Sequence, residues 1–444
     1  MKKAYIRTFG CQMNVYDTGK MLALLKNDGY EETQEMDDAD LVIVNTCSIR
    51  EKPELKVHSF LGEARKIKRN RPDKDMTIAI SGCVAQQEGK NLLNRYPDVN
   101  LVFGPDAVPN ISTLLSATQN QKQVLDTTFL DEADYVFASD IDPNATQRVG
   151  AFVTIQKGCD NKCTFCIVPT TRGKEVSRPS EQIVAEVQAL VEQGIKEITL
   201  LGQNVNSYGR DLMIDNKRKP YFTELLYKIH EIDGIQRIRF TSPHPKDFKI
   251  ETLKAVAELP KVANQIHIPL QSGSNKILSA MHRGYNQKRF LEKIDLIKSL
   301  IPNVSISSDI IVGFPGENHE DFNQTMEVVN YSEFDLIYMF KFSPRPGTVA
   351  SDYVDQFVAK ENIDDRFMRL KVRQTEISEK RYKRFENTKQ LLLVEKISKK
   401  DNNILTGRIE GGHIVHLESS SDNIGKLLNV KIYDSTPFFL KATL

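Results

Sequence analysis

The apolar residues over positions 1–118 fall into short runs, and three of these runs end alike. AYIRTFGCQMN, DLVIVNTCSIR and MTIAISGCVAQ each read as a strand, then a small or polar residue, a cysteine and a helix-like stretch. Repeated strand, loop and helix units predict a parallel sheet with helices on its faces. The loops after the C-terminal strand ends then share one edge, where open α/β sheets bind ligands. Cys11, Cys47 and Cys83 are therefore expected to meet in space. The plainer reading makes each a small buried hydrophobe, the common state of a free cysteine. Three of them in the same position of three units weigh against it.

From 112 to 148 the chain is polar and weakly patterned and reads as a connector. Alternation resumes at AFVTIQ, with strand candidates at 152–156, 196–201, 236–241, 265–269, 304–312 and 334–342 and helix-like segments between most of them. In one of these, SEQIVAEVQALVEQG, Ser180 is expected to cap the first turn and Gly194 to end the last. Six such units over residues 145–375 predict an open or partial β/α barrel whose site lies in the loops at one mouth. Over 378–444 the alternation gives way to LLLVEKIS, ILTGRIE, HIVHLES and LLNVKIYDSTPFFLKATL, the pattern of a small antiparallel barrel. The expected class is α/β with three domains, at 1–118, 145–375 and 378–444.

Composition changes this picture little. The formal net charge is +1 and 40% of residues are hydrophobic, as in a soluble globular protein. MKKAYIRTFG carries no apolar stretch of signal-peptide length, and no run approaches a membrane span of about 20 residues. A cytoplasmic home is expected, where thiols stay reduced and the six cysteines read as ligands rather than disulfides. Local charge is less even. Between Asp364 and Arg384 stand Arg366, Arg369, Lys371, Arg373, Lys380, Arg381, Lys383 and Arg384, with Lys396, Lys399 and Lys400 beyond. Two readings stand there: a solvated helix face paired with Glu376 and Glu379, or a surface for a phosphate backbone.

The remaining cysteines, Cys159, Cys163 and Cys166, are clustered in GCDNKCTFCIVP directly after a strand candidate. Four thiolates saturate a four-iron cluster, so two sets of three suggest two clusters, each with one iron left open. The rival is a structural zinc site, which normally needs a fourth protein ligand. His58, His230 and His244 are candidates for it, but none adjoins the motif.

CxxxCxxC on the first strand of a β/α barrel resembles the signature of radical S-adenosylmethionine enzymes. LLGQNVNSYG, IPLQSGS and SSDIIVGFPGE, after the second, fourth and fifth strands, fit the same reading. Together with TFGCQMN, NTCSIR and SGCVAQ, they make the whole chain resemble the radical methylthiotransferase family. The resemblance implies three domains: one holding an auxiliary 4Fe-4S cluster, a partial (β/α)6 radical core, and a C-terminal TRAM domain that binds RNA in many members. Among the family's branches, CTFCIVPTTRGKEVSRP, LLGQNVNSYG, RFTSPHP and SSDIIVGFPGE look most like the one acting on isopentenylated adenosine 37 of tRNA. The alternatives are the branches acting on threonylcarbamoyladenosine or on a ribosomal-protein aspartate, and, from another class, a non-catalytic iron-sulfur RNA-binding protein.

The resemblance implies that Cys159, Cys163 and Cys166 hold the cluster that cleaves S-adenosylmethionine. Cys11, Cys47 and Cys83 are then the ligands of the second cluster, which delivers a methylthio group to carbon 2 of adenine. Gly202, Gln203, Asn204, Gln271, Ser272 and Gly313 are candidate S-adenosylmethionine contacts. Lys380, Arg381, Lys383, Arg384, Lys399 and Lys400 are candidates for the RNA backbone of the anticodon loop. An electron donor such as flavodoxin or ferredoxin is implied, and no catalytic carboxylate or histidine pair is expected. Arg172 and Arg178 are read as meeting substrate, phosphate or Glu175, and Phe9 and Tyr16 as core packing.

Overall fold

The structure is a computed structural model that describes the chain apart from residues 49–50, 72–74, 131–136, 138–139, 142–148 and 215, with only the backbone at 51–55. Its N-terminal strands are β1 (Lys2–Phe9), β2 (Tyr30–Glu32), β3 (Leu41–Thr46), β4 (Thr77–Gly82), β5 (Leu101–Phe103) and β6 (Val124–Asp126). They form one parallel sheet in the order β2-β1-β3-β4-β5-β6. Val42, Val44, Ile78 and Ile80 pack on one face, and Leu41, Ile43 and Ala79 on the other, as a sheet covered by helices on both sides requires. Phe9 pairs with Thr46 and Thr46 with Gly82, so the ends of β1, β3 and β4 are level.

The connector expected over 112–148 holds most of the helix Ile111–Ala117 and then β6, the edge strand of this sheet. Much of its remainder, with the start of the expected second domain at 145, lies outside the described residues.

The central strands are β7 (Gly150–Thr154), the pair β8 (Gln156–Lys157) and β9 (Val176–Ser177), then β10 (Glu197–Leu201), β11 (Arg237–Phe240), β12 (Gln265–His267), β13 (Ser305–Val312) and β14 (Leu336–Lys341). β7, β10 and β11 pair in parallel, as do β12, β13 and β14, and a parallel bridge from Ile238 to Val262 joins the two halves. All six expected barrel strands are present. Val153, Ile198, Leu200, Ile238, Ile266 and Ile306 share one core with the surrounding helices. Ser180 does not cap its helix: Ser180–Glu192 starts after Pro179, and the Ser180 hydroxyl bonds the Glu181 carboxylate at 2.7 Å. Gly194 follows the helix at φ +94, a backbone state that glycine adopts without strain.

The helix Lys360–Lys383 leads from this barrel to β15 (Lys389–Ile397), β16 (Ile404–Arg408), β17 (Ile414–Glu418), β18 (Leu427–Ser435) and β19 (Leu440–Thr443). These close in the order β15-β16-β17-β19-β18, and closure leaves no open sheet edge. β17 and β19 run parallel, the other neighbours antiparallel. Among the described residues no helix is long and apolar enough to cross a membrane.

Candidate cluster sites and the cavity between them

The first thiol set is assembled by the level ends of β1, β3 and β4. Cys11 precedes the helix Gln12–Asn27 and Cys83 opens the helix Cys83–Glu88. The turns are tight. A Cβ on Gly10 would lie 2.5 Å from the Cys47 Cβ, and one on Gly82 2.4 Å from the Thr46 carbonyl oxygen at φ +90. Asn14 accepts from the Cys11 thiol at 3.2 Å and donates to Asn45 at 2.8 Å, and Asn45 returns a bond to the Asn14 carbonyl at 2.8 Å. The separated cysteines thus converge as expected. Cys47 hydrogen-bonds both neighbours, which lowers Cys11 to about 7 and Cys83 to about 6 against burial, while its own thiol is pushed up. Arg172 adds to the lowering at both.

The second set lies in the loop after β8. A Cβ on Gly158 would lie 1.8 Å from the Lys174 carbonyl oxygen at φ +70, so the loop can hug the β8–β9 hairpin only through glycine. Asn161 donates to the Cys159 sulfur at 3.4 Å and Arg283 to the Cys163 sulfur at 3.1 Å. Burial pushes the Cys166 thiol up to about 12 and raises Cys159 as well. Within the loop, Thr164 donates its amide to the Met281 carbonyl at 3.1 Å and its hydroxyl to that of Ala280 at 2.8 Å.

Both sets face one cavity of about 1370 Å³, lined by Cys11, Cys47 and Cys166 together with barrel strands and the C-terminal barrel. That exceeds the roughly 300–1,000 Å³ usual for a small-molecule site. Inside the barrel its wall carries His267, bonded to Ser307 at 3.0 Å and Asp309 at 3.3 Å, with its ring edge-on to Tyr338. Lys341, Arg345, Lys396 and Arg408 also line it, Lys341 paired with Asp364 and Arg408 with Glu395 at 2.7 Å.

The donor sets suit iron-sulfur clusters. Each is all thiol, three strong, and faces shared space. Among the described residues no three His, Cys, Asp or Glu side chains converge tightly enough for a single ion. His58 contacts the Tyr96 hydroxyl, His230 ends the helix Phe222–His230, and His244 accepts from the Lys246 amide at 3.3 Å. Burial, Arg283 and Lys246 push His244 down to about 2.

Of the S-adenosylmethionine candidates, only Gln271 lines the cavity, at φ +66 and with its Oε1 buried and unpartnered. Gln203 also has a buried unpartnered Oε1. Asn204 is taken up by Asp247 at 2.9 Å and the His244 amide at 3.2 Å, and Ser272 contacts Thr325 at 3.4 Å. Gly202 packs beside Gln156 and Val205. Gly313 makes room for Ile363, and its amide donates to Glu317 at 2.9 Å.

The basic candidates divide. Arg381 and Arg384 lie 3.1 and 3.0 Å from the buried Asp335. Lys380 pairs with Glu333 at 2.5 Å and Lys383 with Glu379 at 2.9 Å, both lysines exposed. Lys399 and Lys400 are exposed between β15 and β16. Arg172 meets Asp17 at 2.7 Å rather than Glu175, and Arg178 pairs with buried Glu186. Phe9 packs edge-on to Phe60, and Tyr16 donates to Glu186 at 3.3 Å. Sequence reasoning missed Arg283, His267, Asp309 and the cavity-lining Lys341, Arg345 and Arg408. Of these, only Asp309 lies in a motif already tied to the site, SSDIIVGFPGE.

Three family models match: the Radical SAM superfamily over residues 153–329, the Uncharacterized protein family UPF0004 over 3–104, and the TRAM domain over 383–444. The chain is 43% identical over 445 residues to the tRNA-2-methylthio-N(6)-dimethylallyladenosine synthase of Sulfurihydrogenibium sp., covering 100% of this chain and 99% of that protein. The enzyme of the same name from Aquifex aeolicus is 41% identical, covering 100% and 98%. Among solved structures, the radical S-adenosylmethionine methyltransferase TsrM from Kitasatospora setae superposes with a TM-score of 0.58 at 14% identity, covering 79% of this chain and 75% of that one. The cobalamin-dependent S-adenosylmethionine radical enzyme OxsB gives 0.54 at 13%, covering 82% and 56%. At such identities these two bear on the fold alone.

Proposed function

Because the chain belongs to the family of tRNA-2-methylthio-N(6)-dimethylallyladenosine synthases, we propose that it converts N6-isopentenyladenosine at position 37 of tRNA to its 2-methylthio derivative. The observation that carries this reading is the single cavity reached by both thiol sets and by the C-terminal barrel. A reaction that joins a radical source, a sulfur donor and a base needs all three in one space.

Cys159, Cys163 and Cys166 would hold the 4Fe-4S cluster that binds S-adenosylmethionine, and Cys11, Cys47 and Cys83 would hold a second. When bound, these groups supply reductive cleavage of the sulfonium and the sulfur to be transferred. The rest falls to the chain. Gln271 offers an unsatisfied buried acceptor beside the radical site, a fit for a polar group of S-adenosylmethionine. The His267, Ser307, Asp309 and Tyr338 wall offers hydrogen bonds and an aromatic face to a base turned out of the anticodon loop. Lys396, Lys399, Lys400 and the exposed Lys380 and Lys383 suit its phosphates. Arg381 and Arg384 are already engaged by Asp335. A small reductant such as flavodoxin or ferredoxin would supply electrons in a cytoplasmic setting.

The test is anaerobic turnover of the reconstituted protein on tRNA bearing isopentenyladenosine, with nucleosides identified by mass. A methylthio product on a ribosomal-protein aspartate instead would move the protein to that branch. Failure to cleave S-adenosylmethionine under strong reduction would leave a non-catalytic RNA-binding protein. Cys159→Ala should abolish cleavage, whereas Cys47→Ala should keep cleavage and lose sulfur insertion.

A further inference from the structure

Each thiol set meets one buried guanidinium, and the two are compensated differently. Beside Cys11 and Cys83 lies Arg172, whose charge is matched by Asp17 at 2.7 Å. Beside Cys163 lies Arg283, 5% exposed, with its Nη1 3.1 Å from the sulfur. Its Nε donates to the Tyr285 hydroxyl at 3.3 Å, and that hydroxyl is itself fixed on the carbonyls of Pro269 and Leu270, each at 2.9 Å. Among the described residues no carboxylate pairs with Arg283.

A buried charge without a counter-ion is costly, and the anion within reach is a thiolate of the cluster motif. Net charge and hydrogen bonds to sulfur set the potential of an iron-sulfur centre. We propose that Arg283 is a positioning residue that acts through Cys163 to raise the reduction potential of the radical site, while the Arg172–Asp17 pair leaves the N-terminal site electrically balanced. Electrons entering the protein then settle first on the cluster that cleaves S-adenosylmethionine. The inference rests on the two-cluster reading above.

The test uses full-length chains carrying Cys47→Ala or Cys159→Ala, each keeping one thiol set, titrated by EPR without S-adenosylmethionine. In the Cys47→Ala background Arg283→Gln should lower the midpoint by 59 mV or more, a tenfold change in the reduced-to-oxidised ratio of a one-electron couple, and Arg283→Lys should restore most of it. In the Cys159→Ala background Asp17→Asn should raise the midpoint. Unchanged midpoints at full iron content overturn the proposal, as does Arg283→Lys falling as far as Arg283→Gln. Should Arg283→Gln fail to bind iron, recovery of iron by Arg283→Lys supports the thiolate contact, and failure of both with an unmoved Asp17→Asn midpoint overturns it. A Cys159→Ala chain without iron removes the second cluster and leaves the Arg283 arm intact.

Discussion

Lys157 and Asp106 form an ion pair at 2.5 Å, with side chains 5% and 2% exposed, that ties the strand before the loop of Cys159, Cys163 and Cys166 to the N-terminal domain. Burial lowers the Lys157 pKa, and Asp106 works against that. The pair holds one thiol set in place against the other.

Removing one partner of such a pair leaves a buried charge alone, at about 3–5 kcal/mol. Asp106→Ala should therefore destabilise the chain by that order in urea unfolding. The double variant Asp106→Leu with Lys157→Met should recover most of it, because an apolar pair of similar volume is often neutral. A double variant no better than Asp106→Ala would show that the pair's other hydrogen bonds dominate.

Two glycines should separate the two proposed cluster sites. Gly158→Ala forces a Cβ to within 1.8 Å of the Lys174 carbonyl oxygen, and Gly82→Ala to within 2.4 Å of the Thr46 oxygen, both at positive φ. Neither neighbour is the end of a flexible side chain. Gly158→Ala should lose the iron of the radical set and S-adenosylmethionine cleavage, while Gly82→Ala should lose the other set's iron and keep cleavage. Iron assay and 5'-deoxyadenosine yield check both.

What the sequence made legible was local and repeated. Cys11, Cys47 and Cys83 each follow a strand, and parallel pairing puts such ends on one edge, so convergence followed from the pattern alone. β6 escaped because it is three residues long, VLD, in a polar stretch, and its strand character comes from pairing with β5. Charge partners escaped for a different reason. Arg172 had Glu175 close by in sequence but meets Asp17, and Arg381 and Arg384 meet Asp335, on another element. A charged residue's partner is fixed by tertiary contact, which neither composition nor periodicity encodes.

The C-terminal barrel is docked through two arginines of β11. Arg239 donates to the carbonyls of Ile409 and Glu410, each at 2.9 Å, and Arg237 to that of Arg408 at 2.9 Å. Hydrogen bonds from a charged donor contribute about 1.5–3 kcal/mol each. Arg239→Met should loosen this domain by at least about 2 kcal/mol, speeding protease cleavage between Arg384 and Lys389 and weakening tRNA binding. S-adenosylmethionine cleavage should persist. Equal loss of cleavage and tRNA binding would place the effect in the radical barrel instead.

Stability of the same junction should fall in acid, in two stages. Burial would raise Asp335, but His413, Arg384 and Arg381 outweigh it and hold the carboxyl down at about 2. A depressed carboxyl contributes fully above its unfolded value of about 3.9 and loses that contribution as pH falls through its folded value, on the order of 2 kcal/mol here. His413 is also lowered, chiefly by burial, so the unfolded chain takes up a proton first as pH drops through about 6.5. Both effects have the same sign. Hydrogen exchange in β15–β19 should therefore accelerate modestly below pH ~6.5 and more steeply between pH ~4 and ~2. Asp335→Asn should remove the steep stage and, by stranding Arg381, Arg384 and His413, weaken the junction at neutral pH. A variant whose acid profile kept the steep stage would assign it to other carboxylates.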